Sequence, residues 1–461
     1  MPFRGLGVRD EFAPMLWLAA PVVLAELGWM FMGVVDTLMV GPLGPEAIGA
    51  VGIGASLYMA LAIFGVGTLL GLDTLVAQAY GASRLDECHR WLHHGIVLAL
   101  ALAVPLTVAC YVVEALLEAW GLDPVVLPLT RQYFLVVLWS STPLLLYAAF
   151  RRYLQALTLV RPIMVALVSA NVINACVNYA LIYGKAGFPR LGVAGAAWAT
   201  VVSRVYMAVF LLLTIVVVER RTATGLFETR LTIEMARCRR LVALGFPAAM
   251  QAMLEVGVFA AATALAGRLA PASIAAHQIA LNMAALSFMV PLGLSSAAAV
   301  RVGHAVGRRD PAGTARSGWA AVLIGVGFMA IAATVFVLFG RQLIGAFTPD
   351  AAVIAIGVVL LRVAAVFQLF DGLQGVATGV LRGVGDTRTP MLWNLAGHWV
   401  VGLPLGYWLA FKRGSGVLGL WIGLSAGLIV VGAVLLVVWI RHVGRLRGGL
   451  EQSVIGNRGI G

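Results

Sequence analysis

Residues 15–40 read MLWLAAPVVLAELGWMFMGVVDTLMV, with one proline (Pro21), two acids (Glu26 and Asp36) and no basic residue. A helix rising 1.5 Å per residue needs about 20 apolar residues to cross a bilayer's ~30 Å hydrocarbon layer, and this run is long enough to do so. Its apolar residues are continuous rather than alternating, which excludes a strand of an outer-membrane barrel. The same ruler carried outward finds twelve runs, near 14–40, 46–70, 93–118, 129–154, 162–183, 193–218, 241–266, 273–300, 317–340, 352–381, 390–411 and 416–440. The expected fold is an all-α membrane protein of twelve transmembrane helices. The segment ahead of the first run, MPFRGLGVRDEFA, carries two arginines but no apolar core or small-residue cleavage site, so no removable signal peptide is expected.

Composition agrees. Of the 461 residues 61% are hydrophobic and 11% charged, against about 25% charged in an ordinary soluble domain, which leaves too little polar surface for water. The net charge of +12 would suggest nucleic acid in a soluble protein, but here the basic residues sit in short loops between apolar runs. Loops enriched in Lys and Arg face the cytoplasm. The N-terminus, the loops after even-numbered runs and the C-terminus together hold 23 of the 32 basic residues, including Arg4, Arg151, Arg152 and Arg230, whereas the opposite loops hold seven. Arg204 and Arg362 fall inside runs. Both termini are therefore predicted to be cytoplasmic. Cys88, Cys110, Cys176 and Cys238 show no paired spacing, so neither a zinc site nor a disulfide framework is expected.

The chain also resembles itself. At one constant offset in numbering, Pro21 pairs with Pro247, Pro45 with Pro271, Gly67 with Gly293, Gly81 with Gly307 and Arg90 with Arg316, without a gap. Matching leucines would mean little in so apolar a chain. Matching prolines and glycines carry more, because they mark kinks and close backbone approaches. The reading is two six-helix bundles, 1–225 and 226–461, joined by the basic stretch from Glu219 to Arg240. Six spans per half return the chain to its starting side, so the halves are related by a pseudo-two-fold axis along the membrane normal.

Acids inside apolar runs are functional candidates, since a charge at the bilayer centre costs at least about 2.5 kcal/mol. They are Glu26 and Asp36 in the first helix, Asp73 in the second, Glu255 in the seventh and Asp371 in the tenth. In the fifth run, Asn174 and Asn178 lie one helical turn apart and share a face. They are read either as interhelical hydrogen-bonding groups or, with Asp36, as a polar pocket for a cation or proton. Trp29, Met30, Phe31 and Met32 precede Asp36, and Met250 and Met253 precede Glu255. Thioethers deform to fit varied apolar ligands, although the same pattern suits lipid-facing or core positions.

Neither lysine, Lys185 or Lys412, sits in a phosphate-binding G-x-x-x-x-G-K-[ST] loop. The G-x-G-x-x-G formed by Gly414, Gly416 and Gly419 opens an apolar run with no strand before it, so no dinucleotide site is expected. Neither H-E-x-x-H nor G-x-S-x-G occurs. The chain is expected not to be an enzyme and to need no cofactor.

Several segments, in order, resemble the multidrug and toxic compound extrusion (MATE) transporters, in their bacterial NorM-like branch. They are MGVVDTLMVG at 32–41, LGFP at 244–247 followed by Leu254, Glu255 and Val256, and AAHQIALN at 275–282. To these add RVGH at 301–304, Phe370 with Asp371, and LRGVGDTRTP at 381–390. The resemblance covers nearly the whole chain. It implies an antiporter that exports amphipathic cationic drugs or dyes while Na+ or H+ flows inward, working as a monomer in the bacterial inner membrane. The resemblance places cation or proton coupling on Asp36, Asn174, Asn178 and Thr200 in the first half and on Glu255 and Asp371 in the second. The three acids are its candidate Na+ ligands, and Glu26, Met30, Met32, Met253 and Phe367 are expected to line the substrate cavity. Members with a C-half sodium site often carry a tyrosine one turn before the aspartate. Phe367 offers no such oxygen and leaves proton coupling open. A lipid-linked oligosaccharide flippase of the same broader superfamily is the alternative, though its pyrophosphate head calls for a cationic cavity. An ion channel would show a filter-like repeat, and none is visible.

Overall fold

The computed structural model describes residues 7–229 and 232–458, so Arg4 and Arg230 of the charge tally lie outside the described residues. Every regular element among those residues is helical. In chain order they are α1 (Phe12–Val40), α2 (Pro45–Thr68), α3 (Gly71–Gly81), α4 (Leu85–Leu116), α5 (Val126–Val137), α6 (Ser141–Ala156), α7 (Arg161–Tyr183) and α8 (Val193–Thr222). They continue with α9 (Met235–Ala266), α10 (Pro271–Gly307), α11 (Pro311–Gly345), α12 (Ala351–Val384), α13 (Arg388–Asn394), α14 (Leu403–Tyr407) and α15 (Gly416–Arg458). Breaks between them follow local chemistry. Asp310 accepts the Gly313 N–H (2.8 Å) and precedes Pro311, and Asp350 accepts the N–H groups of Ala352 (2.8 Å) and Val353 (3.1 Å). Each is an N-cap that meets orphan donors of a first turn.

Eleven helical stretches, from Val8–Leu43 to Gly416–Leu446, are long and apolar enough to cross a bilayer, with mean hydropathies of 1.6–2.6. Their outward faces are apolar as well: Trp17, Leu38 and Val104 are more than 60% exposed. Water would not tolerate so much exposed apolar surface, but acyl chains do, and the chain is a multi-pass membrane protein. The run predicted at 390–411 is built differently. Between α13 and α14 the chain is π-helical over Leu395–Gly402, and it is π-helical again over Trp408–Lys412. Pro404 cannot donate to the carbonyl one turn earlier, and Gly423 and Gly427 of α15 lie against Gly406 and Gly397 too closely for side chains of their own. Strained ladder and close backbone contact together widen the helix.

The described chain packs as two units. One comprises Leu24–Ala249. The other comprises the residues up to Val23 together with those from Met250 onward. The repeat read from the sequence is a length of chain, whereas the packing units divide inside α1 and α9, at points separated by the same offset as the paired prolines. The paired glycines show why. In the first unit Gly67 lies against the Ala249 backbone, where an added Cβ would come within 2.6 Å of its Cα. In the second, Gly293 lies against the Val23 backbone, with 2.9 Å to its Cα and N. Gly67 and Gly293 are repeat partners, and so are Val23 and Ala249. The start of each repeat's first helix thus packs on the other repeat's second helix.

Candidate ion-coupling sites in the two units

In the unit of residues 24–249, α1 brings Asp36 to the facing sides of α7 and α8. Asn178 Nδ2 donates to Asp36 Oδ1 (2.7 Å) and to Asn174 Oδ1 (3.0 Å), and Thr200 Oγ1 donates to Asp36 Oδ2 (3.0 Å). All four side chains are buried. The i, i+4 spacing of Asn174 and Asn178 places both amides on the buried stripe of α7. Among the described residues Asn178 Oδ1 has no hydrogen-bond partner, which leaves one spare acceptor beside the carboxylate. The four residues that the family resemblance groups are therefore together in one constellation. Two members of the neighbourhood lie outside that grouping: Tyr133 of α5, 2% exposed, and Arg204, one turn beyond Thr200 on α8. Arg204 stands out in the sequence as an intramembrane cation, but no local spacing links it to Asp36. Tyr133 carries no signal at all.

Glu26 and Asp73 take another role. Arg151 binds Glu26, and Arg152 Nη1 lies 3.3 Å from Asp73 Oδ2. The charge tally assigns both arginines to a loop. They sit instead inside α6, 6–7% exposed, because a carboxylate waits for each within the bundle. Glu26 is thus an ion-pair member at the position expected to line a substrate cavity. Of the methionines on α1, Met32 is buried at 6% exposure and Met30 is partly exposed. Removing one partner of a buried pair strands the other charge, at about 3–5 kcal/mol. Glu26→Gln is accordingly expected to lower the thermal unfolding midpoint in detergent markedly, with most of the loss recovered in Glu26→Gln/Arg151→Met. Equal midpoints for the single and double variants would contradict the pairing.

In the other unit, α9 and α12 face each other through matched polar turns. Gln374 Nε2 donates to Glu255 Oε2 (3.3 Å), and Gln251 Nε2 donates to Thr378 Oγ1 (3.3 Å). Asp371, one turn before Gln374, is 5% exposed and has no hydrogen-bond partner among the described residues. The Glu255 charge bears on Asp371, and neither carboxylate has an ion pair among the described residues. Phe367 is 1% exposed in an aromatic stack, 6.2 Å from the Phe259 ring and 5.8 Å from the Trp421 ring. Trp421 Nε1 in turn donates to His277 Nδ1 (3.0 Å), and His277 Nε2 pairs with Thr263 Oγ1. Phe367 therefore belongs to a packed apolar cluster, while Met253 is 37% exposed. Among the described residues no group of three or more His, Cys, Asp or Glu side chains is arranged to hold a metal ion.

Comparison with known proteins places this arrangement. The family model described as MatE matches residues 21–180 and 247–408, its two parts beginning at the paired prolines. A probable multidrug resistance protein NorM from Mesorhizobium japonicum is 38% identical over 441 residues, covering 94% of each chain. The multidrug resistance protein NorM from Burkholderia vietnamiensis is 35% identical over 432 residues, 92% of each. Among solved structures, a MATE protein in a bent conformation superposes with a TM-score of 0.88 at 19% identity, over 97% of this chain and 99% of that one. An outward-facing multidrug resistance MATE transporter gives 0.87 at 20% identity, over 96% and 98%. These last two likenesses are of fold. With the family model matching most of its length and both NorM relatives aligning nearly end to end, the chain belongs to the MatE family.

Proposed function

We propose that this chain is a secondary active multidrug exporter of the inner membrane that expels amphipathic organic cations in exchange for inward H+ or Na+. The observation that carries the reading is a contrast among acids of the apolar helices. Glu26 and Asp73 are neutralised by arginines, whereas Asp36, Glu255 and Asp371 have no ion pair among the described residues and keep only amide or hydroxyl donors, or none. Unpaired carboxylates inside membrane helices are costly, and where they occur they mark ion and proton pathways. The relatives' names, multidrug resistance proteins, support drugs as the exported substrates.

In this account Asp36, with Asn174, Asn178 and Thr200, is one coupling site, and Glu255 with Asp371 is a second whose charge attracts the organic cation. Met30, Met32 and Met253 offer deformable contact to the drug's apolar part. Loading a coupling carboxylate with an inward-moving ion cancels that attraction and favours the state that releases drug, because a ligand shifts two states only by its differential affinity for them. The mixed α and π helix over residues 388–412 serves as the twelfth span, both termini are cytoplasmic, the six-helix repeats 1–225 and 226–461 are related along the membrane normal, and the monomer is the working unit.

Dye efflux from vesicles energised by an imposed pH gradient, compared with an imposed Na+ gradient, tests the exchange. Efflux driven by at least one of them is expected. Efflux indifferent to both would contradict antiport.

A further inference from the structure

The site around Asp36 contains a permanent positive charge that the exchange scheme leaves without a task. Arg204 is 6% exposed on α8, four residues beyond Thr200 and so on the same face as the hydroxyl that donates to Asp36. Its guanidinium donates from Nη1 to Ser140 Oγ (2.5 Å) and rests over the Tyr58 ring (4.8 Å) and the Trp29 ring (5.8 Å). Nε has no partner, and no carboxylate lies within ion-pair distance among the described residues. Arg204 is nevertheless the basic residue whose charge is felt at Asp36, and both charges bear on the Tyr133 hydroxyl between the same helices. The arginine is held by a hydroxyl and two rings, close to the aspartate but not on it.

We propose that Arg204 is an ion-selectivity determinant that reserves the Asp36 site for the proton and excludes Na+. This rests on reading Asp36 as a coupling carboxylate and goes beyond it by naming the ion and the residue that chooses it. A proton adds to the carboxylate covalently and needs no shell of ligands. The guanidinium that remains keeps the hydroxyl and ring partners it already has. The fixed guanidinium opposes added positive charge of either kind at Asp36, but a Na+ ion is held by electrostatic attraction alone and loses its binding to that repulsion, whereas the covalent bond to a proton withstands it. Oxygen supply is not what withholds the metal, because Asn178 Oδ1 stands free beside Asp36 and the Asp36 oxygens are within reach. Among the described residues the Glu255 and Asp371 pair has no such guanidinium, so the two units differ in this respect.

The test is calorimetric titration of the purified full chain with NaCl against choline chloride at constant ionic strength. A Glu255→Gln/Asp371→Asn background leaves Asp36 as the coupling acid being read. The parent is expected to show no Asp36-dependent Na+ binding. Arg204→Gln should gain it, with affinity at least about tenfold above the parent, and Asp36→Asn should then abolish it. Arg204→Lys keeps the charge and should remain silent. Should Arg204→Gln be too unstable to purify, Arg204→Met, which keeps an apolar stem over the two rings, carries the same expectation. Na+ binding in the parent that disappears with Asp36→Asn would overturn the proposal, as would folded charge-removed variants that still bind no Na+. Failure of the coupling reading itself is seen separately, as undiminished ion-driven efflux by Asp36→Asn.

Discussion

Asp36→Asn is expected to abolish ion-driven drug efflux while leaving insertion and fold intact, and Asp371→Asn is expected to do the same. Asparagine has the volume of aspartate and can still accept from Thr200, so the hydrogen-bonded frame around position 36 loses little. What it lacks is the charge that a proton or cation would neutralise. One-for-one exchange of monovalent cations moves no net charge, so a pH difference of about one unit, worth about 1.4 kcal/mol, sustains at most about a tenfold drug gradient. The expected steady-state ratio across vesicles therefore falls from several-fold toward unity in either variant. Near-parent ratios in both, at matched protein incorporation, would remove these carboxylates from the coupling machinery.

A second large effect is expected at Gly245. An added Cβ there would stand 1.8 Å from the Thr68 carbonyl oxygen and 2.7 Å from its carbon, so the obstacle is backbone of α2 and not a side chain able to swing aside. Close approach through small residues is how membrane helices gain packing where lipid supplies no hydrophobic drive. Gly245→Val is expected to cost about 3 kcal/mol, the upper end for overpacking. It should appear as a steep loss of monodisperse protein and a lowered thermal midpoint in detergent. Gly49, with nothing within 4 Å of an added Cβ, is the control: Gly49→Ala should be neutral or slightly stabilising. Similar midpoints for Gly245→Val and the parent would contradict the contact.

The pattern of legibility has physical causes. Continuous apolar runs announce membrane helices because lipid forbids exposed backbone, and the constant offset between the halves survives in prolines and glycines because those residues shape the backbone. Gly67 and Gly293 are visible for that reason. Their partners, Ala249 and Val23, are not, since an alanine or valine backbone looks like any other in an apolar chain. The Asp36, Asn174 and Asn178 grouping is half legible, because i, i+4 spacing shows a shared face but not which helix meets it. Arg151 and Arg152 are misplaced by charge counting, which sees an arginine at the end of a run as a loop residue. Only the fold shows that Glu26 and Asp73 draw them inside. The π turns of Leu395–Gly402 and Trp408–Lys412 owe one cause to Pro404, which a local window contains, and another to Gly contacts with α15, which it does not.

The central claim, that organic cation and coupling ion move in opposite directions through the same chain, is tested most directly without any imposed gradient. Proteoliposomes loaded with pH- and Na+-sensitive dyes are given a lipophilic organic cation on one side only. The account predicts ion movement toward that side with the parent chain and none with Asp36→Asn or Asp371→Asn. Organic-cation entry with no opposing ion movement by the parent would contradict it.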